Sequence, residues 1–132
     1  MGSCYSVTAK LRLVNRRAAS TAVRRYIREN DGKGINFSLK EHKSEGVHTR
    51  SFDDLMRIFL AGWTSYPVRI DHEGDVDWYN NAFNASYGWE SVMTDMFEVL
   101  TPHLKSGSSL KIYCDDGFDH LVVCNGKLMR LH

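Results

Sequence analysis

Between Ser3 and Val14 the chain alternates. Tyr5, Val7, Ala9, Leu11 and Leu13 fall on one side, and Ser6, Thr8, Lys10 and Arg12 on the other, the period of a half-buried strand. From Asn15 the period changes. Ala19, Ala22, Val23, Tyr26 and Ile27 recur at helical spacing, with Arg17, Arg24, Arg25 and Arg28 opposite them. Asn15 has the chemistry of a helix N-cap, and Asn30-Asp31-Gly32-Lys33-Gly34 that of a stop after Glu29. Ile35 to Leu39 alternates again and predicts a short strand, and Glu41 to Arg50 reads as a polar loop. Ser51-Phe52-Asp53-Asp54 opens a second helix of capping-box type, with Leu55, Ile58 and Phe59 as its stripe and Gly62 as its end. Val68 and Ile70 predict a strand that turns at Glu73-Gly74 and returns over Val76 to Phe83.

A continuous stripe of Trp89, Val92, Met93, Met96, Phe97, Leu100 and Leu104 predicts a helix over 89–104, closed by Lys105-Ser106-Gly107. Three strands follow: Leu110 to Cys114, His120 to Cys124 and Lys127 to Leu131. Asn125-Gly126 joins the last two, a two-residue turn favoured because both residues tolerate positive φ. The order β-α-β-α-β-β-α-β-β-β mixes helices with hairpins. It predicts one α+β domain over 1–132, a mostly antiparallel sheet with about three helices on one face.

Composition adds little until the charges are placed. The 132 residues are 42% hydrophobic and 25% charged, ordinary for a globular chain. No run approaches the roughly 20 apolar residues of a membrane span. With no leader pattern and three cysteines lacking C-x-x-C spacing, the expectation is a cytoplasmic protein with reduced thiols, no membrane and no cofactor. The net charge of +1 hides a split. Residues 1–50 hold eleven Lys/Arg against four Asp/Glu, and residues 51–132 six against twelve. Such a layout presents faces of opposite sign to each other or to partners.

Three stretches bear chemistry. Asp71, His72, Glu73, Asp75 and Asp77 crowd the hairpin of the third and fourth predicted strands. Their carboxylates suit a hard cation, but the spacing is not that of a calcium loop, and the plain alternative is a solvated hairpin tip that protects a sheet edge. Asp71, Glu73, Asp75 and Asp77, with Trp78 and Tyr79 beside them, are the candidate contact for a protein partner with a basic surface. Arg17, Arg24, Arg25 and Arg28 are the candidate contact for nucleic acid, since arginines on one face pair with several phosphates. Asp115 to His120 fits hairpin-loop chemistry better than an acid–base pair. No phosphate-cradling loop, no G-x-S-x-G and no helical His pair is present.

Within 86–128, Phe97, Leu100, Pro102, Leu104, Gly107, Ser108, Asp115, Asp116, Gly126 and Lys127 form a pattern of helix end, aspartate-rich turn and final x-G-K. It resembles small uncharacterised proteins of phages and mobile elements from Gram-positive gut bacteria. The resemblance implies an α+β fold and an accessory protein that inhibits or modulates a host factor, such as a CRISPR-type defence nuclease. It carries no catalytic residue across. The sequence-based expectation is therefore a non-enzymatic macromolecule-binding protein. The alternatives are a nucleic-acid binder using the basic helix, and a metal-dependent enzyme using Asp71, Asp75, Asp77 and His72.

Overall fold

The computed structural model describes residues 2–61, 68–115 and 117–131. Among these, one antiparallel sheet is built from β1 (Gly2–Leu11), β2 (Arg69–Glu73), β3 (Val76–Ser86), β4 (Ser109–Cys114), β5 (Gly117–Cys124) and β6 (Lys127–Leu131). Its order is β2-β3-β1-β4-β5-β6. The helices are α1 (Arg16–Asn30), α2 (Leu39–Ser44), α3 (Phe52–Ala61) and α4 (Trp89–Leu100), with a 3₁₀ turn over Thr101–His103. The α+β class and the antiparallel sheet are those the periodicity predicts. The expected helix end at Gly62 lies outside the described residues. No helix among those described is long and apolar enough to cross a membrane.

Alternation decides which face of the sheet is covered. Tyr5, Val7, Ala9 and Leu11 of β1 are buried, as are Asp77, Tyr79, Phe83 and Ala85 of β3, while the intervening residues are not. On the buried face α3 packs against β3 and α4 against β4, and α1 lies against α3 and α4. The core between them is aromatic. Phe59 meets Phe37 edge-on at 5.3 Å between centroids, and Phe37 meets Trp89 at 6.0 Å. The Trp89 indole donates to the Phe59 carbonyl at 2.7 Å, which satisfies a buried N–H that would otherwise cost free energy.

Asn15 caps α1 as its chemistry predicts, its side-chain oxygen accepting from the Ala18 N–H at 2.9 Å. Replacing Asn15 by alanine is expected to cost about 1 kcal/mol, read as a lower midpoint in urea with an unchanged slope. Ser51 likewise accepts from the Asp54 N–H at 3.1 Å at the start of α3.

Four elements differ from the sequence-based expectation; one is β5, which begins at Gly117 rather than His120, so Phe118 and Asp119 of the expected loop pair with Tyr113 and Ile112. The segment 35–39 makes no strand. Ile35 forms one isolated bridge with Asp31, and α2 begins at Leu39, the last residue of the expected strand, and runs into the expected loop to Ser44. The backbone donors of this segment go to side chains instead: Phe37 N–H to Asp31 and Ser38 N–H to Asn36. Ser38 sits at φ 52°, where a strand residue never lies. Next, α4 stops at Leu100 and tightens into the 3₁₀ turn, because Pro102 has no N–H to continue the helix. Leu104 is buried and bridges Leu13. Finally, the β2–β3 turn is Gly74-Asp75, not Glu73-Gly74. Glu73 pairs with Val76, and Gly74 supplies φ 60°.

Candidate functional site

The β2–β3 register sets Asp77 directly opposite His72, and both point to the helix-covered face. Asp77 is only 5% exposed. A buried carboxylate needs partners, and it has two. Its Oδ1 lies 2.5 Å from His72 Nδ1, and its Oδ2 accepts from Arg16 at the start of α1. Asp53, in the first turn of α3, completes the group. Its Oδ2 lies 3.1 Å from His72 Nε2, and its Oδ1 accepts from the Tyr79 hydroxyl at 2.7 Å. Arg16 Nη1 is 3.8 Å from the same carboxylate, and its guanidinium lies over the Phe52 ring at 5.7 Å.

With His72 protonated, two acids face two cations and the charges cancel. Both nitrogens of His72 sit on carboxylate oxygens, the geometry of an imidazolium donating twice. The hydrogen bonds to Asp77 and then Asp53 raise its pKa above the ordinary histidine value. Burial, aided by the Asp53 carboxylate, holds the Tyr79 hydroxyl protonated far above its ordinary range. The network ties the hairpin to α1 and α3. It leaves no free imidazole nitrogen for proton abstraction.

The raised His72 pKa makes this tie depend on pH. A group whose pKa rises on folding contributes fully below its unfolded value and loses that contribution as pH climbs through the folded value. The stability difference between the wild type and His72→Gln is therefore expected to be largest below about pH 6.5 and to shrink at higher pH. Paired thermal melts across that window check it; a difference independent of pH contradicts it.

Beside this neutral network opens a cleft of about 920 Å³, whose wall includes Arg16, Arg17, Ser20, Arg24, Arg50 and Ser51. Arg24 is fixed by backbone carbonyls, Nε to Thr49 at 2.7 Å and Nη2 to Arg50 at 3.0 Å. These contacts orient its charge without cancelling it. Arg17 and Arg50 are exposed and make no ion pair among the described residues. The cleft acids, Asp53 and Asp77, are already satisfied by Arg16 and His72. What remains is a surplus of three guanidinium charges around one concavity, which suits an anion with several oxygens.

The residues singled out from sequence separate in space. Of the basic helix, Arg17 and Arg24 enter the cleft, while Arg25 and Arg28 are exposed elsewhere on α1 and do not line it. Sheet parity splits the acidic stretch. Asp77 and Tyr79 turn inward and are buried. Asp71, Glu73 and Trp78 turn to the opposite face, where with Arg69 and Asn80 they line a shallow depression of about 540 Å³. Asp75 occupies the turn and is held by Arg12 at 3.1 Å and Lys105 at 3.5 Å. The hydrogen bond from Arg12 keeps its carboxyl below the usual range. Asp71, Asp75 and Asp77 therefore do not converge, and no metal-ligating group of three or more forms among the described residues.

Arg16, Asp53 and Arg50 did not stand out in the sequence as members of one site. The usable signal was spacing. Arg16, Ser20 and Arg24 lie four residues apart, along the flank of the apolar stripe rather than opposite it. Asp53 looked like helix-start chemistry alone. Comparison with family models, with curated proteins and with solved structures finds no match to this chain.

Proposed function

We propose that the protein binds a phosphate-bearing polyanion, a nucleic acid, through the arginine cleft beside α1, and that it acts by binding rather than by catalysis. One observation carries this reading: Arg17, Arg24 and Arg50 surround a concavity whose own carboxylates are already spent on Arg16 and His72. Guanidinium forks match phosphate oxygens, and neutralising phosphates releases counterions. The doubly bonded His72 supports the non-catalytic part, since both of its nitrogens are committed. The acidic stretch supports a protein contact less well, because Asp71 and Glu73 are parted from Asp77 by the sheet.

The test is retention of a labelled oligonucleotide by the full chain as salt rises. Three arginine–phosphate contacts predict that log K falls linearly with log salt at a slope of about −2 to −3. Absence of binding at about 20 mM salt, where such contacts are strongest, would end this reading.

A further inference from the structure

The helices cover one face of the sheet and leave the other open. In an antiparallel sheet an open face is ordinarily polar and mixed in charge. Here it is neither. On β4 and β5, Tyr113 and Phe118 are a cross-strand pair, stacked with centroids 4.4 Å apart. They remain 55% and 47% exposed. His120 lies 5.9 Å beyond Phe118. Met129 and Leu131 of β6 add exposed apolar area.

The register shows what surrounds these rings. Ala82, Ser6, Tyr113 and Phe118 lie in one row across the strands. The next row is Asn80, Thr8, Lys111, His120 and Leu131, and the row after it is Trp78, Lys10, Ser109, Val122 and Met129. Among the described residues, β1, β3, β4, β5 and β6 present Lys10, Lys111 and Lys127 outward and no carboxylate; Asp119 and Asp77 turn to the other face. Among the described strand residues, the acids on the open face are Asp71 and Glu73, at the β2 edge, and Asp115 lies in the turn that follows β4.

We infer that this open face is a second binding surface and that its ligand is single-stranded nucleic acid. Exposed rings give unpaired bases a stacking partner, lysines set apart from the β2-edge carboxylates attract the backbone, and the amides and hydroxyls of Asn80, Thr8 and Ser109 can meet base edges. A duplex hides its base faces and cannot use Tyr113 or Phe118. A row crossing four strands spaced about 4.8 Å apart has room for two or three splayed nucleotides. The inference rests on the proposed function for the class of ligand, but on different residues, across the sheet from the arginine cleft.

Fluorescence anisotropy separates the two surfaces. The ligands are a labelled homopyrimidine strand of about twelve nucleotides, long enough for one such site, and a duplex of matched length. The single strand is expected to bind more tightly than the duplex. Tyr113→Ala and Phe118→Ala should each weaken the single strand about tenfold and leave the duplex unchanged, while Tyr113→Phe restores binding. Lys111→Glu provides a second variant that removes no ring. If these substitutions change neither ligand while Arg17→Glu/Arg50→Glu weakens both, the open face is not a site and the cleft stands. If the ring variants lose the single strand and the cleft variant loses nothing, the open face stands and the cleft fails. Concentration-dependent dimerisation in sedimentation equilibrium that Tyr113→Ala abolishes would assign the face to a second copy and overturn the inference.

Discussion

Reversing Arg17 and Arg50 to glutamate together is expected to lower oligonucleotide affinity about a hundredfold at low salt, roughly tenfold for each charged hydrogen-bonding group removed. Both side chains are exposed, so the fold should survive the change. They are also the two cleft arginines whose side chains make no ion pair among the described residues. Arg24 is a poorer target, since its guanidinium also pins the Thr49 and Arg50 carbonyls and its removal would loosen the loop. The same reversal at Arg25 and Arg28 changes net charge equally but lies outside the cleft. Long-range attraction alone would make the two double variants equal at about 50 mM salt, and screening would erase both. A cleft makes them unequal, and the salt slope of Arg17→Glu/Arg50→Glu should fall by about 2. Titrations of the two variants at two salt concentrations check both points.

Truncating Phe59 to alanine is expected to cost about 3–5 kcal/mol, the range for a fully buried aromatic. Phe59 is wholly buried, with its ring beside those of Phe37 and Tyr26. Removing it unseats Phe37, which no strand ladder holds in place. Since a domain of this size is stable by only about 5–15 kcal/mol, the variant should melt far below the wild type in calorimetry. A loss under about 1 kcal/mol would mean that the core closes over the gap, and that the aromatic cluster is not the keystone between α1, α3 and the sheet. Phe59→Leu, which keeps most of the volume, should fall between the two.

Much of this architecture was legible because burial writes a period into the chain. The alternation of Tyr5, Val7, Ala9 and Leu11 could be read directly, and so could the stripe from Trp89 to Leu100. The same logic misled at Ile35, Phe37 and Leu39. These residues do pack against the core, with Phe37 fully inside, but the Phe37 and Ser38 backbone donors pair with the Asp31 and Asn36 side chains. Periodicity reports which side chains enter a core, not whether a neighbouring strand exists. The acidic stretch failed differently. Asp71, His72, Glu73, Asp75 and Asp77 are close along the chain, yet a period of two sends alternate residues to opposite faces. Asp77 then finds Arg16, sixty-one positions away. Such a pairing depends on how α1 and the hairpin dock. Arg50 joins the cleft in the same way, through the Arg24 contacts to Thr49 and Arg50. The open face was invisible for a related reason, since only the order of β1, β4 and β5 places Lys111 and Tyr113 beside Thr8 and Ser6.

Arginine side-chain NMR tests the cleft most directly. A phosphodiester oligonucleotide is titrated into the uniformly ¹⁵N-labelled chain, and the Nε–H signals of its arginines are followed. The cleft predicts that Arg17 and Arg50 shift and saturate together, with Arg24 moving alongside them and Arg25, Arg28 and Arg130 unmoved. Shifts confined to Arg25 and Arg28, or an equal drift of every exposed arginine, would contradict it.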